Sequence, residues 1–169
     1  NGEFLLNLMT YDGSLKHTFS HGQSKIAGYL DDYALVIESL LNLHQVTFSG
    51  KWLSEAIRLA GVMVEEFWDD STGLFYDTSK RHQALFVRPR NSHDGALPSG
   101  SSAATLALLK VAYQTGDKRL EQIATRSFHG MRESLSGYPL AFGNWLCGLD
   151  FYLSVKKEIV VIGRPGIKS

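Results

Sequence analysis

Two short polar stretches carry the side chains in this chain best suited to acid–base chemistry. The first is Tyr29-Leu30-Asp31-Asp32-Tyr33, where two carboxylates open an apolar run. The second, Asn91–Ser102, is turn-forming and holds His93 and Asp94 ahead of a longer apolar run. A carboxylate in the first turn of a helix is stabilised by the free amides and the helix dipole; Asp31 fits that structural role, and its alternative is to bind a ligand at the same mouth. Asp32, followed by Tyr33 and Ala34, is expected to point inward, where it could act as a general acid or base or grip hydroxyl groups. Histidine titrates near neutrality, so His93 beside Asp94 could bind or exchange a proton. The structural alternative is an Asx-type turn at Asp94 with His93 merely exposed. If both stretches face one cavity, Asp32 and Asp94 form the paired carboxylates that glycoside chemistry needs. Around them, Arg88 could hold a carboxylate or phosphate, Asp12 and His17 could join the same mouth, and Tyr29 could stack on a sugar.

The elements that must position these groups are helices. From Ala103 to Tyr113 only Thr105 and Lys110 interrupt the apolar run, so this helix is expected to be wet over a narrow strip at most. Gly116 ends it and Asp117 caps the next helix, Lys118–Leu135, whose apolar side chains recur on one face. The same alternation occurs earlier. A helix from about Lys25 or Tyr29 to His44 is apolar on more than one face, and Trp52–Trp68 carries a single stripe. A further helix follows Pro139 and runs to about Leu153. Broadly buried helices alternating with one-sided ones predict two layers of antiparallel hairpins. The expected fold class is therefore all-α, a partial (α/α)6 toroid, with residues 1–169 forming a single-domain fragment of about half of it. Short β segments are expected at Leu15–Phe19, Leu74–Asp77 and Ala84–Val87, and at Glu158–Ile162 near the C-terminus. Glu3–Met9 reads as the end of a helix.

Composition limits the function classes. The formal net charge of the 169 residues is zero, and Lys and Arg are scattered, so no field for nucleic acid or an anionic membrane is expected. No apolar run reaches the roughly 18 residues that span a bilayer. Cys147 is the only cysteine, which excludes an intrachain disulfide and a thiolate zinc cluster and fits a cytoplasmic location. The histidines have no tight metal-ligand spacing, and neither a phosphate loop nor a Rossmann fingerprint occurs, so neither metal nor cofactor is expected. Ser99-Gly100-Ser101-Ser102 lacks a nucleophile-elbow pattern and reads as a helix cap.

The segments GYLDDYALVIESLLNL, EEFWDDSTGLFYDT, VRPRNSHDGALPSGSSAATLALLKVAYQTGD and EIVVIG occur in this order. Together they resemble the C-terminal part of the spermatogenesis-associated protein 20 family. That resemblance implies a thioredoxin-like domain upstream and an (α/α)6 toroid similar to six-hairpin glycosidases and to N-acylglucosamine 2-epimerases. It implies a cavity lined by inner-helix ends, with Asp32, His93, Asp94 and Arg88 at its mouth. The leading expectation is thus a carbohydrate-related enzyme domain acting on a small carbohydrate. The alternative is a non-catalytic binding or scaffold module serving the thioredoxin-like domain. Either way, the remainder of the toroid is the expected partner, and the isolated piece is expected to bind a partner, self-associate or be of low stability.

Overall fold

The long apolar run after Ser99 forms the helix around which the other elements pack. In a computed structural model, which describes residues 1–82 and 86–155, this is α4, Gly100–Thr115. The elements before it are α1 (Gly2–Leu8), β1 (Thr10–Tyr11), β2 (Ser14–Ser20), β3 (Gln23–Ala27), α2 (Leu30–Thr47), α3 (Gly50–Phe67), β4 (Trp68–Asp69) and β5 (Leu74–Phe75). After it come α5 (Lys118–Gly137) and, beyond a 3-10 turn at Pro139–Ala141, α6 (Gly143–Leu153).

Helix α4 contains Gly100, Ser101, Ser102 and Thr105, which individually cost up to about 1 kcal/mol of helix propensity. Burial of Leu108, Leu109 and Val111 contributes about 2 kcal/mol each, so packing decides the conformation. Its N-cap Ser99 accepts a hydrogen bond from the Ser102 amide, and Gly116 closes the helix at a positive φ of 73° that favours glycine. Helix α4 packs against α2 on one side and α6 on the other, and α5 lies behind it, as α3 lies behind α2. The inner helices α2 and α4 are buried on several faces. The outer helices α3 and α5 bury one stripe each: Ala56, Leu59, Ala60, Met63 and Phe67 in the first, and Leu120, Ile123, Ala124, Ser127, Phe128 and Met131 in the second. The result is an all-α, toroid-like arc with short antiparallel β hairpins. No helix among the described residues is long and apolar enough to cross a membrane.

Several boundaries differ from the sequence expectation. Lys25 does not begin α2. It pairs with Thr18 across the β2–β3 hairpin, and helical geometry is interrupted by Ile26, whose φ is +61°. Leu74–Phe75 pairs back onto Trp68–Asp69, which makes a tight hairpin after α3. Pro139 starts a 3-10 turn, and the helix proper begins at Gly143. The strands expected at 84–87 and 158–162 fall partly or wholly outside the described residues.

Asp69 holds the β4–β5 hairpin together. It accepts the amide and hydroxyl of Ser71 and the hydroxyl of Thr72, and it pairs with Arg90. These bonds, that from the Ser71 hydroxyl foremost, keep its carboxyl far below the usual carboxylate range. A depressed folded-state pKa contributes stability that is present above the unfolded value of about 4 and is lost as pH falls below it. Thermal unfolding between pH 7 and pH 3 should therefore show a falling midpoint. Asp69→Asn should lower the midpoint at pH 7 and flatten that pH dependence; an unchanged slope would contradict the assignment.

Candidate functional site

The N-termini of the two inner helices meet at one point. A side chain at Gly100 would come within 3.3 Å of the Asp31 amide nitrogen and of Leu30, so glycine lets α4 approach α2 closely where a Cβ would press on the start of that helix. The Leu30 amide donates to the carbonyl of Asp77 at 3.0 Å, which brings the chain after β5 to the same place. A cavity of about 290 Å³ opens there, lined by Tyr29, Asp31, Asp77, Asn91, Ser99 and Gly100 among others. Asp31 is exposed and Asp77 half-buried. Burial pushes the Asp77 carboxyl up; a hydrogen bond from the Asn91 amide opposes the rise, and the nearby Asp31 carboxylate adds to it.

Asp94 and Asp32, the carboxylates paired from the sequence, are otherwise engaged. The Oδ1 of Asp94 accepts the Ser99 amide at 2.9 Å, the Ser99 hydroxyl at 3.0 Å and the Ser102 hydroxyl at 2.6 Å. Its Oδ2 accepts the amides of Asn144 at 2.8 Å and Trp145 at 3.2 Å. A carboxylate has about four lone-pair directions, so these donors saturate it. Asp94 ties the start of α4 to the start of α6. Trp145 strengthens the tie through its indole N–H, which donates to the Ser92 carbonyl at 2.9 Å. His93 is exposed and its ring lies 5.1 Å from that of Phe142, the residue before α6.

Asp32 reaches back to accept the Tyr29 amide at 2.8 Å, the third-residue half of a capping box. The same Oδ2 lies 2.7 Å from Nδ1 of His17. A carboxylate only accepts, so Nδ1 carries the proton and Nε2 is the free end of a 40% exposed side chain. The His17 ring stands edge-on to Tyr29 at 5.0 Å, and His82 stacks on Tyr29 at 4.9 Å. His82 Nδ1 accepts the Ser79 amide at 3.1 Å, which puts its proton on Nε2, a buried atom without a partner.

The structure thus brings Tyr29, Asp31, Asp32 and His17 together around the start of α2. It places Asp94 in the adjoining helix junction and His93, exposed, beside Phe142. Arg88 is turned inward: it donates to the carbonyls of Glu66 and Thr78, stacks 4.0 Å above Tyr76, and burial lowers its pKa. Asp12 sits in the β1–β2 turn, at a φ of 49°. Asp77, Asn91 and His82 are near the mouth without having been singled out, since Asp77 reads as the end of a short strand. Among the described residues no group of three or more His, Cys, Asp or Glu side chains is placed to hold a metal ion.

Two layers of antiparallel helical hairpins, with polar loops gathered at the inner-helix N-termini, resemble the six-hairpin, glycosidase-like toroids. Sequence comparison then identifies the relatives. The chain is 30% identical to spermatogenesis-associated protein 20 of Rattus norvegicus over 142 residues, 83% of this chain and 18% of that protein. It is 29% identical to the Homo sapiens protein of the same name over 147 residues, 86% of this chain and 19% of that protein. An uncharacterised protein of Caenorhabditis elegans matches 96% of this chain at 24% identity, over 23% of its own length. No protein-family model matches. The chain is a homologue of the spermatogenesis-associated protein 20 family and spans about a fifth of the length of the curated relatives it matches.

Removing the Asp94 carboxylate leaves several buried donors at two helix starts without an acceptor. Asp94→Ala is expected to cost about 3 kcal/mol in urea unfolding. A loss under about 0.5 kcal/mol, typical of an unremarkable surface position, would contradict its role as the junction.

Proposed function

We propose that this is a carbohydrate-related domain that receives a small sugar at the inner-helix mouth, with Asp31 and Asp77 as the carboxylates that meet its hydroxyls. The observation that carries this reading is the shared cavity. Asp31 and Asp77 line one pocket against the N-termini of both inner helices, whereas Asp32 and Asp94 are occupied by helix starts. A volume of about 290 Å³ is at the small end of ligand sites, appropriate to one sugar ring. Carboxylates grip vicinal hydroxyls by accepting from each, and Tyr29 lines the same pocket. Engagement of Asp94 by five donors favours a binding module over a glycosidase that uses Asp32 and Asp94 as acid and base. The enzymatic form of the reading has one supporting observation, the Asp32–His17 pair, in which Asp32 orients His17 and Nε2 is the base.

In the wider protein, the domain is proposed to form about half of an (α/α)6 toroid in the cytoplasm. The remaining hairpins complete it and a thioredoxin-like domain lies upstream. By itself this arc would self-associate through its uncovered flank.

Calorimetric titration of the full chain with methyl glycosides and disaccharides tests the reading. At least one sugar should bind, and Asp31→Asn and Asp77→Asn should each weaken it about tenfold or more. A carboxyl whose folded pKa is raised loses native stability as pH rises toward that pKa, so at pH 7 Asp77→Asn should be at least as stable as the parent. Unchanged sugar affinity in both variants would contradict the assignment. Release of new reducing ends that His17→Ala abolishes would select the enzymatic form.

A further inference from the structure

The mouth carboxylate Asp77 is held by a segment whose arginines the sugar reading leaves unused. Residues Arg88-Pro89-Arg90-Asn91 run beside Tyr76-Asp77-Thr78. The Pro89 carbonyl accepts the Asp77 amide at 2.9 Å, and the Asn91 amide donates to the Asp77 carboxylate. On its other side the Asp77 carbonyl accepts the Leu30 amide. Pro89 biases Arg88 toward extended backbone, in which side chains two positions apart emerge on one side. Both guanidiniums accordingly reach one ring. The Cζ of Arg88 lies 4.0 Å and that of Arg90 3.8 Å from the centroid of Tyr76. Each cation is also anchored away from the ring. Arg88 Nη2 donates to the carbonyls of Glu66, at 3.0 Å, and of Thr78, and Arg90 pairs with Asp69. Tyr76 is fixed in turn: its amide donates to the Phe67 carbonyl at 2.9 Å and its hydroxyl to Asp69 at 3.3 Å.

We propose that Tyr76, Arg88 and Arg90 are positioning residues for the mouth, their stack setting the Pro89 and Asn91 backbone that holds Asp77 in the cavity. The path from stack to cavity is short. Tyr76 precedes Asp77 and Arg90 precedes Asn91, and both of these followers line the cavity. A cation against an aromatic ring gains strength where water is partly excluded, and Arg90 and Asp69 are only 24% and 17% exposed. A planar guanidinium keeps its face on the ring, which a lysine ammonium cannot do. The Asp77 carboxyl is shifted by burial, the Asn91 amide and the Asp31 carboxylate, and neither arginine is among these groups. The stack therefore acts on Asp77 through position and not through charge. What Asp77 is positioned to do rests on the sugar-binding reading; that it is positioned by the stack is read without sugar.

Two readouts on the full chain test this: the carboxyl-carbon NMR titration of Asp77 without ligand, and sugar affinity by calorimetry. Tyr76→Leu removes the ring, and Arg90→Lys keeps the charge but removes the planar face. In both variants the Asp77 titration is expected to move down toward an ordinary aspartate as water reaches the carboxyl. Sugar affinity should fall about fivefold in each. Tyr76→Phe keeps the ring and should restore both readouts. A ring that serves the fold alone would lower the thermal midpoint of Tyr76→Leu and leave Asp77 titrating as in the parent. That result would overturn the proposal, as would a Tyr76→Phe titration that matches Tyr76→Leu. Should Tyr76→Leu unfold, Arg90→Lys decides by the same titration. If the parent binds no sugar, the sugar reading falls and the ligand-free titration still decides the positioning.

Discussion

The arrangement depends on the Asp94 carboxylate more than on any other polar group. It accepts amides at the starts of both α4 (Gly100–Thr115) and α6 (Gly143–Leu153), and so sets their N-termini side by side. Each helix start presents amides with no intrahelical acceptor, and one carboxylate answers several of them from both helices. Asp32 performs a smaller version of the same task at α2, where it closes the first turn on Tyr29. With these groups holding the frame, the loops after β5 and before α4 bring Asp77, Asn91 and Ser99 over the gap between helices. The candidate site is therefore a consequence of the helix caps and is built from the side chains they leave free.

This frame explains why the two layers differ so much in composition. The inner helix α4 is contacted by α2, α5 and α6, and its buried Ala103, Ala104, Ala107 and Ala112 let those neighbours approach. The outer helices bury only one stripe each, and Glu66 is the one charged side chain among the buried residues of α3. Gly100 and Gly148 mark close approaches to neighbouring helices, the first against α2 and the second against Phe128 on α5.

Much of the fold was legible in the sequence because layer position leaves a periodic signature within a single helix. The breadth of the apolar surface on α2 and α4, against the single stripes on α3 and α5, predicted the two layers. The β2–β3 hairpin was harder to read: Gln23–Ala27 is short and largely exposed, and the bend at Ile26 has no sequence marker. The site was legible only in location. Asp31, Asp32, Tyr29 and His17 do gather at the start of α2, but whether a carboxylate is free or consumed depends on partners far along the chain. Nothing near Asp94 announces that Asn144 and Trp145 will donate to it. Likewise, Asp77 gains its position from the backbone bond between its carbonyl and Leu30, a contact that composition and spacing do not encode.

The central claim is that Asp31 and Asp77 share one cavity at the meeting point of the inner helices. The most direct test is a carboxyl-carbon NMR titration of Asp77, in the parent chain and in Asp31→Asn. Asp77 is expected to titrate above an ordinary aspartate in the parent, and removing the Asp31 charge should bring it partway down, with burial accounting for the remainder. An Asp77 that titrates normally, or that is indifferent to Asp31, would contradict it and separate the two carboxylates.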